Sequence, residues 1–195
     1  MKRITILLLA VITIVVFTVA GYLIITYYSD QSFQNKLKGS VPWHLQILWG
    51  AIYGFLAAYL GWKITRTPPL RPTRKFFTNL IKPMRLTLLE ITFISFCAGV
   101  GEEVLFRGAI QPFLGIWLTS FIFVLIHGYI NPGNWPLTIY GLYMILVVAG
   151  LGFLTIQLGL IASIAAHTVL DMVLLSCLAE NRLSKFIFGP FQAAN

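Results

Sequence analysis

The chain has 195 residues, 58% of them hydrophobic and only 10% charged, with a mean hydropathy of +0.84. Soluble domains carry about 25% charged residues, so this composition cannot cover a water-facing surface and excludes a soluble globular protein. The net charge is +8, but the basic residues cluster in loops beside hydrophobic runs. There they set topology and touch membrane lipids, so the chain is read as having no nucleic-acid partner.

Ile4 to Tyr28 contains no charge and follows Lys2 and Arg3. The run is longer than a signal-peptide core and matches a spanning helix of about 20 residues, so it is read as the first transmembrane span. Ser29 to Trp43 reads as a polar loop with Asp30, Lys36 and Lys38, and His44 to Trp62 as the second span. Lys63 to Arg85 holds seven basic residues, no acid and four prolines, the mark of a cytoplasmic loop. The third span is expected from about Ile91 to Gln111, just before Pro112, with Leu86 to Glu90 interfacial. The fourth is expected from about Gly115 to Tyr129. Asn131-Pro-Gly-Asn-Trp-Pro136 is a turn built from helix breakers. The fifth span runs from about Leu137 to Gln157 and the sixth from about Leu158 to Leu178.

The expected fold is therefore all-α: a polytopic transmembrane helix bundle of about six spans, a single membrane domain over 1–195. Its motif-bearing core covers about 86–179, and 1–85 adds two N-terminal spans and a basic cytoplasmic loop. Six spans put both termini on one side. That side then collects 11 of the 14 Lys and Arg, counting Lys2, Arg3, the seven loop residues, Arg182 and Lys185, which makes it cytoplasmic. Cys97 and Cys177 lie in apolar runs and read as packed thiols. The short, multi-pass chain is expected in a prokaryotic cytoplasmic membrane.

Three of the six acidic residues, Glu102, Glu103 and Asp171, lie inside hydrophobic stretches, as do two of the three histidines, His127 and His167. Ionisable groups at that depth are expensive and mark functional sites. At 1.5 Å per residue, Glu102 lies about 17 Å along its span, His127 about 18 Å, and His167 and Asp171 about 14 and 20 Å. All four fall near one depth and can meet across a bundle. Glu103 and Arg107, four apart, share a helix face and form an ion pair. Glu103 is thus assigned mainly to charge compensation. Glu102 points about 100° away and is the better general base. Asp171 lies one turn after His167, where its carboxylate orients a ring nitrogen or a substrate. His44, beside tryptophans at a span edge, reads as interfacial.

The motifs Glu102-Glu103-x-x-x-Arg107, Phe123-x-x-x-His127 and His167-x-x-x-Asp171, in that order on separate hydrophobic helices, resemble the CPBP family of intramembrane proteases. That group includes the type II CAAX prenyl endopeptidases. The resemblance implies an endopeptidase acting on a membrane-associated substrate, a peptide or a lipidated protein, prenylated CAAX-type proteins included. It implies that Glu102 and His127 activate a water, while His167 and Asp171 hold the substrate carbonyl or its oxyanion. The family pattern has Asn or Asp at the last position. Asn donates to an oxyanion, whereas an ionised Asp171 repels it. Asp171 must therefore be protonated, orient His167 or bind metal. The family has been described both as metalloproteases and as metal-free glutamate proteases. Glu102, His127, His167 and Asp171 are the candidate ligands for a divalent metal such as zinc, if one is used, but no His-Glu-x-x-His helix is present. Two other functions remain open. One is a non-catalytic membrane partner of the bacteriocin-immunity or scaffold kind. The other is a small proton-coupled transporter using the same groups as a relay.

Overall fold

The computed structural model describes residues 3–180, 183, 186–187 and 189. Lys2, Arg182 and Lys185, three of the basic residues used to orient the chain, lie outside the described residues. Among the described residues the fold is all-helical, with no strand. Five helices are long and apolar enough to cross a membrane: α1 (Arg3–Tyr28), α3 (Trp43–Thr65), α5 (Leu88–Ile126), α6 (Trp135–Gln157) and α7 (Leu160–Leu178). Two shorter helices, α2 (Phe33–Lys38) and α4 (Arg71–Ile81), lie in the polar segments between them. The chain is an integral membrane protein.

Helix α5 is where the expected spans and the structure differ. Its 39 residues would measure about 58 Å if straight, far more than the roughly 30 Å of hydrocarbon. It is not straight. Gly115 breaks it, with φ 73° and ψ 170°, a conformation essentially reserved for glycine. The helix continues through Pro112, which sits at the start of a helical turn where a missing N–H costs little. Residues 116–126 then fold back along residues 88–114, as the packing of Phe123 on Phe106 shows, with ring centroids 5.0 Å apart. The third and fourth spans of the sequence reading are these two arms. The returning arm is only about 17 Å long, so it does not cross the whole bilayer. It ends at Ile126, capped by His127, instead of at Tyr129.

Glu102 lies thirteen residues before Gly115 and His127 twelve after it. A hairpin with arms that equal brings the two side chains to the same level. That level is about 18 Å along the helix from Glu90. Glu90 closes a reciprocal cap with Thr87 and pairs with Arg3 at one end of the bundle. At the other end, Ser40 N–H donates to the Leu158 carbonyl at 2.9 Å, joining the α2–α3 loop to the α6–α7 turn.

Helix α7 runs through the middle. Leu160, Ala162 and Ala166 are fully buried. Gly50 and Gly54 of α3 face Ala162 and Ala166, and a Cβ at either glycine would collide with a backbone oxygen of α7. Close approach through small residues is how helices associate where lipid removes the hydrophobic drive. On its other side α7 packs on α5, and α1 packs on α5 around Gly101 and Val104. The first two spans, which carry no motif, thus clamp the helices that do. Cys97 and Cys177 are buried free thiols, as expected.

The basic segment holds a difference too. The prolines and charges of Lys63 to Arg85 read as loop, yet residues 71–81 form α4. Pro72 falls in its first turn, where proline is tolerated.

Candidate active site

Three residues of α5 and α7 form a buried charge network. Arg107 Nη1 lies 3.2 Å from Glu103 Oε1, with both side chains almost fully buried. The same Glu103 oxygen lies 2.8 Å from His167 Nδ1. Arg107 also donates to the Val148 carbonyl at 3.4 Å and sits 4.6 Å over the Phe123 ring. Glu103 therefore does more than the i, i+4 spacing indicated: it joins the arginine of its own helix to a histidine 64 residues away. Here α5 widens to π-helical turns over Val104–Ile110, an irregularity that recurs at functional sites.

His127 is fixed differently. It caps the returning arm, and its Nδ1–H donates to the Phe123 carbonyl at 2.7 Å. Its ring stacks on Phe123 with centroids 4.2 Å apart. With Nδ1 as the donor, a neutral ring leaves Nε2 as an acceptor. That nitrogen faces Glu102 Oε2 at 3.6 Å. His167 Nε2 lies 3.9 Å from the same oxygen and 3.5 Å from Asp171 Oδ2. Glu102 Oε2 is buried and makes no direct hydrogen bond. A buried acceptor ringed by polar atoms just beyond direct bonding distance is where a bridging water or substrate atom belongs.

These groups open into a cavity of about 310 Å³. Glu102, His127, His167 and Asp171 all line it, whereas Glu103 and Arg107 stand behind. The rest of the wall is mainly apolar and aromatic, with Trp62, Phe77, Tyr129 and Met144 prominent. Two of these lie outside the motifs and outside the expected core: Trp62 on α3 and Phe77 on α4. No spacing in the sequence pointed to either. Tyr129 lies two residues beyond His127, and its phenol is held protonated well above the usual range by burial and by Asp171 and Glu102.

The order of the motifs and their meeting at one cavity fit one comparison. The family model described as Type II CAAX prenyl endopeptidase Rce1-like matches residues 84–173. The motif-bearing segment is similar to that family. That family is one of proteases, and the match spans α5 with its cap His127, α6 and most of α7, and so contains all seven motif residues. The matched segment holds the whole charge network, while α1, α3 and α4 supply packing and the cavity wall. No curated protein and no solved structure matches the chain.

A metal site can be tested against this geometry. The donors are of the right kind, two imidazoles and carboxylates. Among the described residues, however, no three His, Cys, Asp or Glu side chains converge closely enough to hold an ion. The roles derived for these residues therefore involve no metal.

Proposed function

We propose that the protein is an intramembrane endopeptidase that hydrolyses a peptide bond with a water activated by Glu102 and His127. The observation that carries this reading is the buried, unpartnered Glu102 Oε2 facing two imidazole Nε2 atoms on the wall of an apolar cavity. The water donates one proton toward Glu102 and the other toward His127 Nε2. Its oxygen attacks the scissile carbonyl carbon, and Glu102 takes the proton. Glu102 then delivers that proton to the departing amine nitrogen as the C–N bond breaks, leaving an acid and an amine.

His167, in its doubly protonated form, holds the developing oxyanion. Glu103 occupies its Nδ1 side, so Nε2–H points to the cavity. Asp171, one turn on and about one-third exposed, flanks that Nε2 and orients it. This assigns it the second of the three roles left open by its chemistry. Glu103 and Arg107 are positioning residues, since neither reaches the cavity wall. The substrate class is a peptide segment presented by the membrane, with an apolar group seated in the cavity. A prenylated CAAX-type peptide has the right chemistry.

The test is cleavage of a membrane-anchored peptide by purified protein in proteoliposomes, read by mass spectrometry of the products. Glu102→Gln, His127→Ala and His167→Ala should each lower the rate by about 10²-fold or more while the proteins still insert and purify. Full cleavage by any one of them overturns the assignment of that residue. Ion flux in place of cleavage, lost with Glu102→Gln, would favour a proton relay.

A further inference from the structure

A second cavity, of about 330 Å³, lies between α4 and the end of α7. Its donors are Arg71, Arg74, Lys75, Thr78 and Asn79, all on two consecutive turns and a half of α4. The one acidic residue on its wall, Glu180, is engaged by Lys82 Nζ at 2.8 Å. Arg71, Arg74 and Lys75 thus line a wall that carries a single carboxylate, which Lys82 also engages. Burial first, and then the neighbouring Arg66 and Arg71, hold the Arg74 guanidinium below its ordinary range, and Glu180 offsets them in part. A bound anion would relieve that repulsion.

Two further observations say what kind of anion. The same helix turns Phe76 and Leu80 outward, 50% and 39% exposed. A helix with cations on one side and exposed apolar residues on the other lies in the plane of a membrane interface. In addition, Arg74 and Trp62 line both this cavity and the apolar one beside it. A ligand with an anionic head and an apolar chain matches both spaces across one shared wall.

We propose that α4 and the end of α7 form a binding site for the phosphate of an anionic membrane lipid, with the lipid chain lying toward the apolar cavity. The site does not depend on the proteolytic reading. Its test is native mass spectrometry of the full chain, delipidated in detergent and titrated with phosphatidylglycerol or phosphatidylcholine. The wild type should retain phosphatidylglycerol about tenfold more tightly. Arg71→Gln with Lys75→Gln should erase that preference, and Arg71→Lys with Lys75→Arg should restore it. Lys36→Gln with Lys38→Gln, an equal charge loss on α2, should leave it unchanged. Equal retention of the two lipids by the wild type overturns the proposal, as does an equal loss in the two charge-removed variants. Displacement of the lipid by millimolar inorganic phosphate would assign the pocket to a soluble phosphate and overturn the lipid source.

Discussion

The two adjacent glutamates carry different burdens, and substitution separates them. Glu103 is fully buried, with Arg107 on one side and His167 on the other. Glu103→Gln leaves the arginine buried without its counter-charge, and breaking one side of a buried pair costs about 3–5 kcal/mol. Thermal unfolding in detergent should therefore fall sharply for Glu103→Gln, with activity lost alongside. Glu102→Gln, at the cavity wall, should unfold near the wild-type temperature while its cleavage rate collapses. Equal unfolding temperatures for the two variants would contradict the division of roles. The i, i+4 spacing made the Glu103–Arg107 pair legible in the sequence, and the 100° offset placed Glu102 on another face. The Glu103–His167 bond was not legible, because it spans 64 residues and local periodicity carries nothing about which helix lies opposite. For the same reason His167 was paired in the sequence with Asp171 alone. Phe123 entered only as a motif letter, yet its carbonyl holds Nδ1 of His127 and its ring lies between His127 and Arg107.

At the level of the helices, the site depends on one break and one seam. Gly115 turns α5 back so that His127 returns to Glu102. Gly115→Val forces a branched residue into glycine-only backbone, at a cost of about 1–3 kcal/mol. Nothing crowds a side chain there, so the protein should still insert, with the arms misaligned and cleavage reduced. Wild-type activity in Gly115→Val would show that the hairpin geometry is not needed. The seam is α3 against α7. Gly54→Leu pushes α3 away from the Ala166 backbone, one residue from His167, and should lower both the unfolding temperature and the cleavage rate. Loss of stability with the rate per folded molecule intact would place α3 outside the active-site support. The sequence showed six hydrophobic runs but not that the third and fourth are one helix with a short returning arm, since a hydrophobic run does not reveal where a helix turns back. It marked Lys63 to Arg85 as a basic loop and missed α4. There proline and charge hid a helix that gains its stability from packing Phe77 against Tyr129 and Tyr140.

Across the whole molecule, the arrangement puts a charged network inside a hydrophobic bundle, with the cavity beside the basic helix α4. The charge asymmetry of the loops predicts that a cysteine introduced at Lys75 and one at Lys36 are labelled by an impermeant thiol reagent from opposite sides of the membrane. Labelling of both from one side would overturn the topology. The family-matched segment carries the charge network and the unmatched helices α1 and α3 give its frame, which is why the motifs in the sequence pointed to the charged groups but not to the cavity wall. The central claim is that Glu102 and His127 act on water directly. It is tested by measuring the metal content of purified, active protein together with cleavage after exhaustive chelation. Direct activation of water by these two residues predicts far less than one zinc per chain and cleavage that survives the chelator. One zinc per chain, lost in His127→Ala and required for cleavage, would contradict it and turn the two histidines into ligands.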